Sequence, residues 1–568
     1  MKDHQIALGI EKAEIVLKNC RMVNVFNHEI EEVDIAINQG IIVGIGKYEG
    51  IYEKDMKMSY VSPGFIDGHV HIESSMLTPS EFSKIIIPKG TTRIIADPHE
   101  IANVLGVKGL GFMFKSSLDT PLNVHIMIPS CVPATLFETS GATISNEDVY
   151  SLKNRDGILG LGEVMDYPSV IHANRFMIEK LKLMEDRVID GHAPNVTGKE
   201  LNSYLLEHIK TDHECTSVEE MHEKISRGMY VHLREGSATK NVSTLIQGVT
   251  ADNAHRTMFC TDDKHSVDIL NDGHINHNIN IAIQSGLSPI TAIQMATINT
   301  ATCYNLNRVG AIAPGYVADL VAFDDLNNIE PKFTMIQGQI VFEDNELLFE
   351  TKKYENLHVT NSVKLNVSDV NLDLYLNNDS VKVIKLIPNN VTTEKVMRTV
   401  TVQDGVYKNN SDEDILKLAV IERHHYTGNV GLGLIEGYGL KNAAIALSIA
   451  HDSHNIICVG DNDTDMLKAV KEIKQLQGGL VLVSQGKVIE SLQLQIAGLM
   501  TNMPIDELRE KLIRLDELAH QYGVHKSVDD AFLSLAFMAL PVIPDLKLTD
   551  QGLFDVTKFK LVSLEGEE

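Results

Sequence analysis

Two patterns of hydrophobic and polar residues alternate along the chain. Residues 13–62 contain short runs of alternating apolar and polar positions, separated by turn residues such as Asn38, Gln39 and Gly40, which predicts short β-strands. From Val61 onward, short apolar runs recur roughly every 20–35 residues, with helix-like stretches such as "GKELNSYLLEHIK" between them. Strands that alternate with helices indicate βαβ units and a parallel sheet.

The apolar runs between residues 62 and 308 end in chemically reactive side chains. Asp97, Glu163 and His192 each stand at or directly after the end of such a run. Barrel enzymes keep their chemistry at the carboxyl ends of the strands, whereas an open doubly wound sheet concentrates it at one switch point. The pattern therefore predicts an α/β fold with a TIM-like (β/α)8 catalytic barrel over residues 62–308.

Both flanks of the predicted barrel return to short strands. Residues 1–61 and 309–350 are predicted to pair into one small β domain. The polar, Asn-rich stretch 351–380 is predicted to be a linker that leads into a C-terminal α+β domain over residues 381–568. In that domain Asp461 or Asp463 is expected to cap a helix. Its role is open among a substrate lid, a dimer surface and a stabiliser.

Composition and charge exclude some classes of partner. A chain of 568 residues has room for several domains, and contents of 43% hydrophobic and 22% charged residues are ordinary for a globular enzyme. The formal net charge of −27 argues against nucleic acid and anionic membrane surfaces, because both need a basic face. The six cysteines form no CxxC pair, and we expect a cytoplasmic protein with reduced thiols. We also expect a homo-oligomer, since barrels of this size often associate.

The stretch "PGFIDGHVHIESS" places four ionisable residues at every second position where the first barrel strand ends. Alternate residues of a strand share a face, so His69 and His71 point to the same side and could chelate a divalent cation. Asp67 lies deeper in the strand and is expected to orient a ligand, while Glu73 could face substrate or a neighbouring loop. Taken alone, the two histidines are equally compatible with an ordinary hydrogen-bonded pair.

Later strand ends supply the rest of a metal site. Four histidines and two carboxylates are enough ligands for two dications, which repel strongly unless anions lie between them. Glu163 is therefore predicted to bridge the ions, and a shared hydroxide to be the nucleophile, because metal coordination lowers the pKa of water to about 7. Mixed imidazole and carboxylate ligands suit zinc, iron or manganese. The predicted ligands are His69, His71, Glu163, His192, His213 and Asp262.

This constellation resembles the amidohydrolase superfamily, in which ligands follow strands one, four, five, six and eight. The motifs "PGFIDGHVH" and "GAIAPGYVADLV" resemble its flanking β domain. Glu163 stands where other members carry a carboxylated lysine, which argues against a hydantoinase-like or dihydroorotase-like enzyme. Over nearly the whole chain, motifs such as "ADPHEIANVLG", "LREGSATKN", "CTDDKH" and "AHDSHNIICVGDNDTDM" are similar to the bacterial-type adenine deaminase family.

The resemblance implies hydrolysis of adenine to hypoxanthine and ammonia, with two divalent cations per chain. Mn²⁺ or Fe²⁺ is the implied metal, with Zn²⁺ as the alternative. Hydroxide would attack C6 of adenine, and Asp262 would accept the proton of the nucleophile and donate to the leaving nitrogen. Glu235 is the second candidate for proton transfer, unless it forms a salt bridge with Arg234. The adjacent Asp263 stays open as an alternative for this role, although strand alternation predicts that it points away from the site.

Four further residues are predicted to contact substrate or to hold the ligands in place: Asp97, His99, Arg234 and Ser237. For Asp97 and His99, an ordinary hydrogen-bonded loop remains the alternative.

Two questions stay open at this level. His451, Ser453 and His454 either reach the site from the C-terminal domain or lie in a surface turn. The alternative functions are another binuclear amidohydrolase, acting on a different aminopurine or a cyclic amide, and a metal-binding barrel without catalysis.

Overall fold

The computed structural model describes residues 2–352, 357–410 and 413–566. A short helix, α1 (Lys2–Ala7), precedes a run of strands in which apolar and polar positions alternate. These strands are β1 (Ala13–Asn24), β2 (Glu29–Asn38), β3 (Ile41–Gly46), β4 (Gly50–Asp55) and β5 (Tyr60–Pro63).

Residues 62–308, all of them described, contain eight parallel strands that close into a barrel, which confirms the predicted fold class. Pairing runs from β6 to β10 and from β11 to β13, and the Lys210 amide donates to the Ile189 carbonyl (3.0 Å) across the junction. The Asp262 amide donates to the His69 carbonyl (2.9 Å), so the end of β13 joins β6. The strands are β6 (Phe65–Val70), β7 (Thr91–Ala96), β8 (Asn123–Ile128), β9 (Ile158–Val164), β10 (Val188–Gly191), β11 (Thr211–Asp212), β12 (Tyr230–Arg234) and β13 (Thr257–Cys260).

Helices connect successive barrel strands, and many begin at a capping side chain. Thr78 accepts from the Glu81 amide at the start of the first of them, and Asn174 accepts from the Phe176 amide at another. The helices are α2 (Pro79–Ile86), α3 (His99–Leu105), α4 (Val107–Ser117), α5 (Asn146–Leu152), α6 (Tyr167–Ile171), α7 (Arg175–Leu183), α8 (Gly198–Leu205), α9 (Val218–Ser226), α10 (Val242–Leu245), α11 (Ser266–Asn271), α12 (Ile275–Gln284), α13 (Pro289–Gln294) and α14 (Thr300–Cys303).

The segments on both sides of the barrel pair into one sheet. Four strands after the barrel join β1–β5, with β14 antiparallel to β5 so that Leu320 lies opposite Pro63. Because β5 leads directly into β6, this sheet fixes the start of the strand that carries His69 and His71. Arg93 of β7 adds an ion pair to Asp319 (2.8 Å). The added strands are β14 (Leu320–Phe323), β15 (Phe333–Ile336), β16 (Gln339–Glu343) and β17 (Glu346–Leu347).

The C-terminal part is an α+β domain around a mixed sheet. In the described residues the sheet order is β19–β18–β23–β22–β25–β24–β26–β27, and α15 packs on β24, β25 and β26. The strands and helices are β18 (Ser380–Leu386), β19 (Thr393–Thr399), β20 (Val402–Gln403), β21 (Val406–Tyr407), β22 (Ile415–Ile421), β23 (Val430–Glu436), β24 (Ala444–Leu447), β25 (Ile456–Gly460), α15 (Asp463–Leu476), β26 (Gly479–Ser484), β27 (Lys487–Gln493), α16 (Ile505–Gln521), α17 (Ala531–Ala536), β28 (Leu546–Thr549), β29 (Gly552–Asp555) and β30 (Lys560–Leu561).

Two details of this domain differ from the sequence expectation or add to it. Asn462, and neither Asp461 nor Asp463, caps α15 by accepting from the Asp465 amide (2.9 Å). The Asp461 carboxylate instead accepts from the backbone of the preceding loop at residues 442–443. Of the predicted linker 351–380, residues 353–356 lie outside the described residues, and Val363 in its described part is buried in the core beneath α15.

All six cysteines are buried free thiols, and Cys215 donates to the Asp212 carboxylate (3.2 Å). None of the helices in the described ranges has both the length and the apolar character that crossing a membrane requires.

Arg423 is fully buried and holds the loop between β24 and β25 in place. Its guanidinium donates to the carbonyls of His454, Ser362 (3.1 Å) and Ala497 (3.0 Å). Burial lowers its pKa to about 9, and Glu422 opposes the shift only in part. The loop that Arg423 fixes carries His451 and four other polar residues at positions 452–455.

We expect Arg423→Met to destabilise the C-terminal domain by about 3 kcal/mol or more, because several buried carbonyls lose their donor at once. Differential scanning calorimetry should show a lower unfolding midpoint. The exposed Arg175→Met serves as the control and should keep an unfolding midpoint close to that of the wild type. Equal midpoints for the two variants would contradict the prediction.

Candidate metal and active site

His69 and His71 stand at the carboxyl end of β6 with their Nε2 atoms 3.1 Å apart. His69 Nδ1 lies 3.1 Å from Asp190 Oδ2, and His71 Nδ1 lies 2.8 Å from the Asp97 carbonyl oxygen. Each acceptor holds a proton on Nδ1, so each Nε2 presents a lone pair to the barrel mouth. Both rings therefore have the tautomer that a metal ligand needs.

Glu163 of β9 shares its two carboxylate oxygens between two pairs of imidazoles. Oε1 lies 3.2 Å from His71 Nε2 and 3.8 Å from His69 Nε2. Oε2 lies 2.7 Å from His192 Nδ1, directly after β10, and 3.1 Å from His213 Nε2, directly after β11. The carboxylate thus stands between two half-sites.

Asp262 joins the first half-site from the end of β13. Its Oδ1 lies 3.0 Å from His71 Nε2 and 3.5 Å from His69 Nε2. Its Oδ2 accepts from Arg234 Nη1 (2.6 Å), and the same guanidinium contacts the Glu214 carboxylate. Arg234 therefore orients Asp262 and neutralises part of its charge.

Asp263 lies at the site as well, so the prediction that it points away is wrong. Asp263 lines a cavity next to His71 and Asp262, and the three residues form one of the groups that could hold a metal ion. Ser74 Oγ donates to the Asp263 carboxylate. Asp262 has a φ of 58°, in the left-handed region. The strand alternation therefore ends before Asp263, and both neighbouring carboxylates face inward.

The donor set fits divalent cations. Burial alone would lower the pKa of His69, but its contacts with Asp190 and Asp262 raise it to about 10. Burial alone would raise the pKa of Glu163, but contacts from the imidazoles, His192 foremost, hold it well below its ordinary value. These groups need positive charge between them, which protons or divalent cations can provide. Imidazole and carboxylate are ligands of divalent transition metals. Several sets of three such residues have ligand atoms that all lie within 4.8 Å of one another.

Asp97 and His99 surround Glu163 from the loop after β7. Asp97 Oδ2 accepts from the Glu163 amide (2.9 Å) and so fixes the backbone of that residue. His99 Nδ1 lies 3.3 Å from Glu163 Oε1, and its Nε2 lies 3.6 Å from Asp452 Oδ1. Asp97 thus holds a ligand in place, whereas His99 forms part of the cavity wall.

The structure corrects the assignment of Glu235 to proton transfer. Alternation along β12 turns Arg234 inward and Glu235 outward, and Glu235 Oε2 accepts from the Val242 amide (3.4 Å) at the start of α10. Glu235 does not line the cavity, and Arg234 pairs with Glu214 and Asp262 rather than with it. Ser237 contacts the Asp268 carboxylate and accepts from the His265 amide (2.9 Å).

The candidate metal ligands open into an inner cavity of ≈ 60 Å³ that lies between the barrel and the C-terminal domain. His451 and Asp452 line this cavity, which answers one open question, whereas Ser453 and His454 do not. An outer chamber of ≈ 590 Å³ adjoins the cavity and shares Glu214 and Arg234 with it. The C-terminal wall of the inner cavity consists of Val391, His451, Asp452, Phe537, Leu540, Val542 and Ile543.

Sequence reasoning missed several residues of the site. Asp190 stands two positions before His192, so strand alternation could have indicated that both face the interior. Glu214 follows His213 and contacts Arg234, a pairing that needs two strands to be brought together. Asp452 comes from the C-terminal domain, and no local pattern connects it to the barrel.

Two family models match this chain. The model described as Amidohydrolase family covers residues 60–341, and the model described as Adenine deaminase C-terminal domain covers residues 390–560. The fold and the site accordingly define a metal-dependent hydrolase of the amidohydrolase superfamily.

Full-length relatives narrow the class. The chain is 49% identical over 561 residues to an adenine deaminase of Clostridium acetobutylicum, with 98% of each chain covered. It is 45% identical over 559 residues to an adenine deaminase 2 of Carboxydothermus hydrogenoformans, again with 98% of each covered. The chain belongs to the adenine deaminase family. Among solved structures, a β-aspartyl dipeptidase of Fervidobacterium islandicum AW-1 is similar at 18% identity and a TM-score of 0.45, covering 60% of this chain and 99% of that one.

We expect Asp190→Asn to weaken divalent-metal binding about 10- to 100-fold, because the carboxylate fixes the tautomer and the orientation of His69. Competition of the purified protein with a chelator for Mn²⁺ measures the affinity. Asp186→Asn, at an exposed residue just before β10, is the matched control and should bind like the wild type. An affinity for Asp190→Asn within about twofold of wild type would refute this role.

Proposed function

We propose that this chain hydrolyses adenine to hypoxanthine and ammonia at the inner cavity. The division of the Glu163 oxygens between two imidazole pairs carries the proposal, because a carboxylate shared in this way suits two neighbouring cations. Relatives named adenine deaminase align with 98% of the chain, which favours adenine over another aminopurine or a cyclic amide.

The residues of the chain divide the remaining work. Divalent cations bound at the half-sites would acidify a water molecule and polarise it for attack. Asp262 would take the proton of that water and deliver it to the leaving amino group, since its Oδ1 lies 3.0 Å from His71 Nε2 and the residue lines the cavity. Arg234 keeps Asp262 ionised and correctly oriented. Burial alone would raise the pKa of Asp262, but Arg234 and the histidines hold it well below its ordinary value.

The cavity itself supports the proposal. Its C-terminal wall is apolar apart from two residues and packs close to the ligands, so it can cover a flat heterocycle and exclude bulk water.

We propose two metal ions per chain, with manganese or iron as the native metal and zinc as the alternative. A homo-oligomer in the cytoplasm remains a prediction.

The central test combines metal content with turnover in Glu163→Gln. We expect the wild-type protein to hold roughly two metal ions and to release ammonia from adenine, whereas the variant should lose most of both, because it lacks the charge between the half-sites. Elemental analysis and a coupled ammonia assay give the two readings. Glu179→Gln, an exposed glutamate, is the control. Metal-loaded wild-type protein that releases no ammonia from adenine would refute the proposed function.

A second test separates Asp262 from Glu235. At matched metal content, Asp262→Asn should lower kcat by about 10²- to 10⁴-fold, because it removes the proton-transfer group. Glu235→Gln should lower kcat less than about tenfold, because its carboxylate accepts from a backbone amide and does not line the cavity. Steady-state kinetics on adenine measure kcat for both variants, and an equal decrease of kcat in the two would contradict these assignments.

A further inference from the structure

The wall that the C-terminal domain adds to the inner cavity has an uneven chemistry. Five of its side chains are apolar, at positions 391, 537, 540, 542 and 543, and two are polar, His451 and Asp452. The His451 ring stacks on Phe537, and its Nδ1 lies 3.2 Å from Glu100 Oε1. His451 Nδ1 therefore already has a partner within the protein.

Asp452 keeps one carboxylate oxygen without a partner. The residue is 4% exposed, and its Oδ1 lies 3.6 Å from His99 Nε2. Its Oδ2 is buried and has no hydrogen-bond partner within the described part of the chain. Burial alone would raise the pKa of Asp452, but the contact with His99 holds it below its ordinary value. An ionised carboxylate only accepts hydrogen bonds, and leaving one unsatisfied in a buried site is costly.

We infer that Asp452 accepts a hydrogen bond from the imidazole-ring N–H of adenine and thereby selects the free base over its nucleosides. This inference rests on the proposed function. Adenine has two kinds of N–H donor, the exocyclic amino group and the ring N–H. The amino group is the one that leaves, so it faces Glu163 and Asp262, and the ring N–H is the donor that remains for Asp452.

The position of Asp452 agrees with this division. His99 stands between the two carboxylates, with Nδ1 towards Glu163 and Nε2 towards Asp452. Asp452 is thus separated from Glu163 by the His99 ring and by a contact of 3.3 Å on one side of that ring and 3.6 Å on the other. An acceptor at that remove from the reacting centre suits a donor on the imidazole half of the purine rather than the leaving amino group. The apolar side chains of the same wall can pack against the faces of the purine ring.

Nucleosides fail at this contact for a chemical reason. In adenosine the glycosidic bond replaces the ring hydrogen, and the other imidazole nitrogen directs a lone pair outward. Neither position can donate, so the Asp452 carboxylate would stay buried and unpaired. Sites built to bind an N–H reject analogues that lack it by factors of about 10⁴–10⁵.

The test measures selectivity rather than activity alone. Wild type, Asp452→Ala and Asp452→Asn are compared by kcat/KM for adenine and by calorimetric binding of hypoxanthine and 9-methylhypoxanthine, which lacks the ring N–H. We expect the alanine variant to lose about 10- to 100-fold in kcat/KM for adenine. The preference of the wild type for hypoxanthine over its methyl derivative should fall by a similar factor in both variants, because neither keeps the charged acceptor.

The controls separate selectivity from damage. Ser453→Ala changes the neighbouring residue of the same loop, which does not line the cavity, and should keep wild-type preference. Metal content and melting temperature confirm that the Asp452 variants are folded, and the isosteric asparagine provides a second folded variant. A hypoxanthine preference that is unchanged in both variants overturns the inference. If the wild type releases no ammonia from adenine, the proposed function fails, while the hypoxanthine titration still decides the role of Asp452.

Discussion

The structure depends on the concentration of buried carboxylates at one end of a parallel barrel. Glu163, Asp190 and Asp262 are almost fully buried, and like charges in such a site repel unless cations separate them. Four imidazoles and Arg234 surround these carboxylates, and the eight strand ends set their spacing. The rest of the chain serves to hold this set in place: the small sheet anchors β6, and Asp97 fixes the Glu163 backbone. The barrel mouth therefore attracts cations, because the fold buries several carboxylates there.

The C-terminal domain completes the site that the barrel begins. Barrel strands supply the groups that can hold metal, and the loop between β24 and β25 supplies the opposite wall through His451 and Asp452. Arg423 holds that loop by donating to main-chain carbonyls on several segments. The barrel and the C-terminal domain therefore share one cavity as well as one cluster of buried apolar side chains, and the shape of the cavity depends on how closely the two pack.

The sequence predicts those parts of the structure that follow from local periodicity. Alternation along β6 places His69 and His71 together, and the recurring apolar runs give the barrel and the positions of Glu163 and His192. The errors arise where one residue departs from the local rule or where distant segments meet. The left-handed Asp262 turns Asp263 inward, alternation turns Glu235 outward, and the approach of Asp452 depends on tertiary packing that no local pattern encodes.

The small sheet also constrains the order in which the protein folds. Its strand β5 lies between β1, the first strand of the chain, and β14, which follows the entire barrel. During synthesis one edge of β5 stays unpaired until residues 320–323 emerge, and an unpaired strand edge can pair with the wrong segment. Closure of this long loop carries an entropic cost that is much smaller once the barrel is compact. The pairing of β14 with β5 is therefore expected to follow barrel formation.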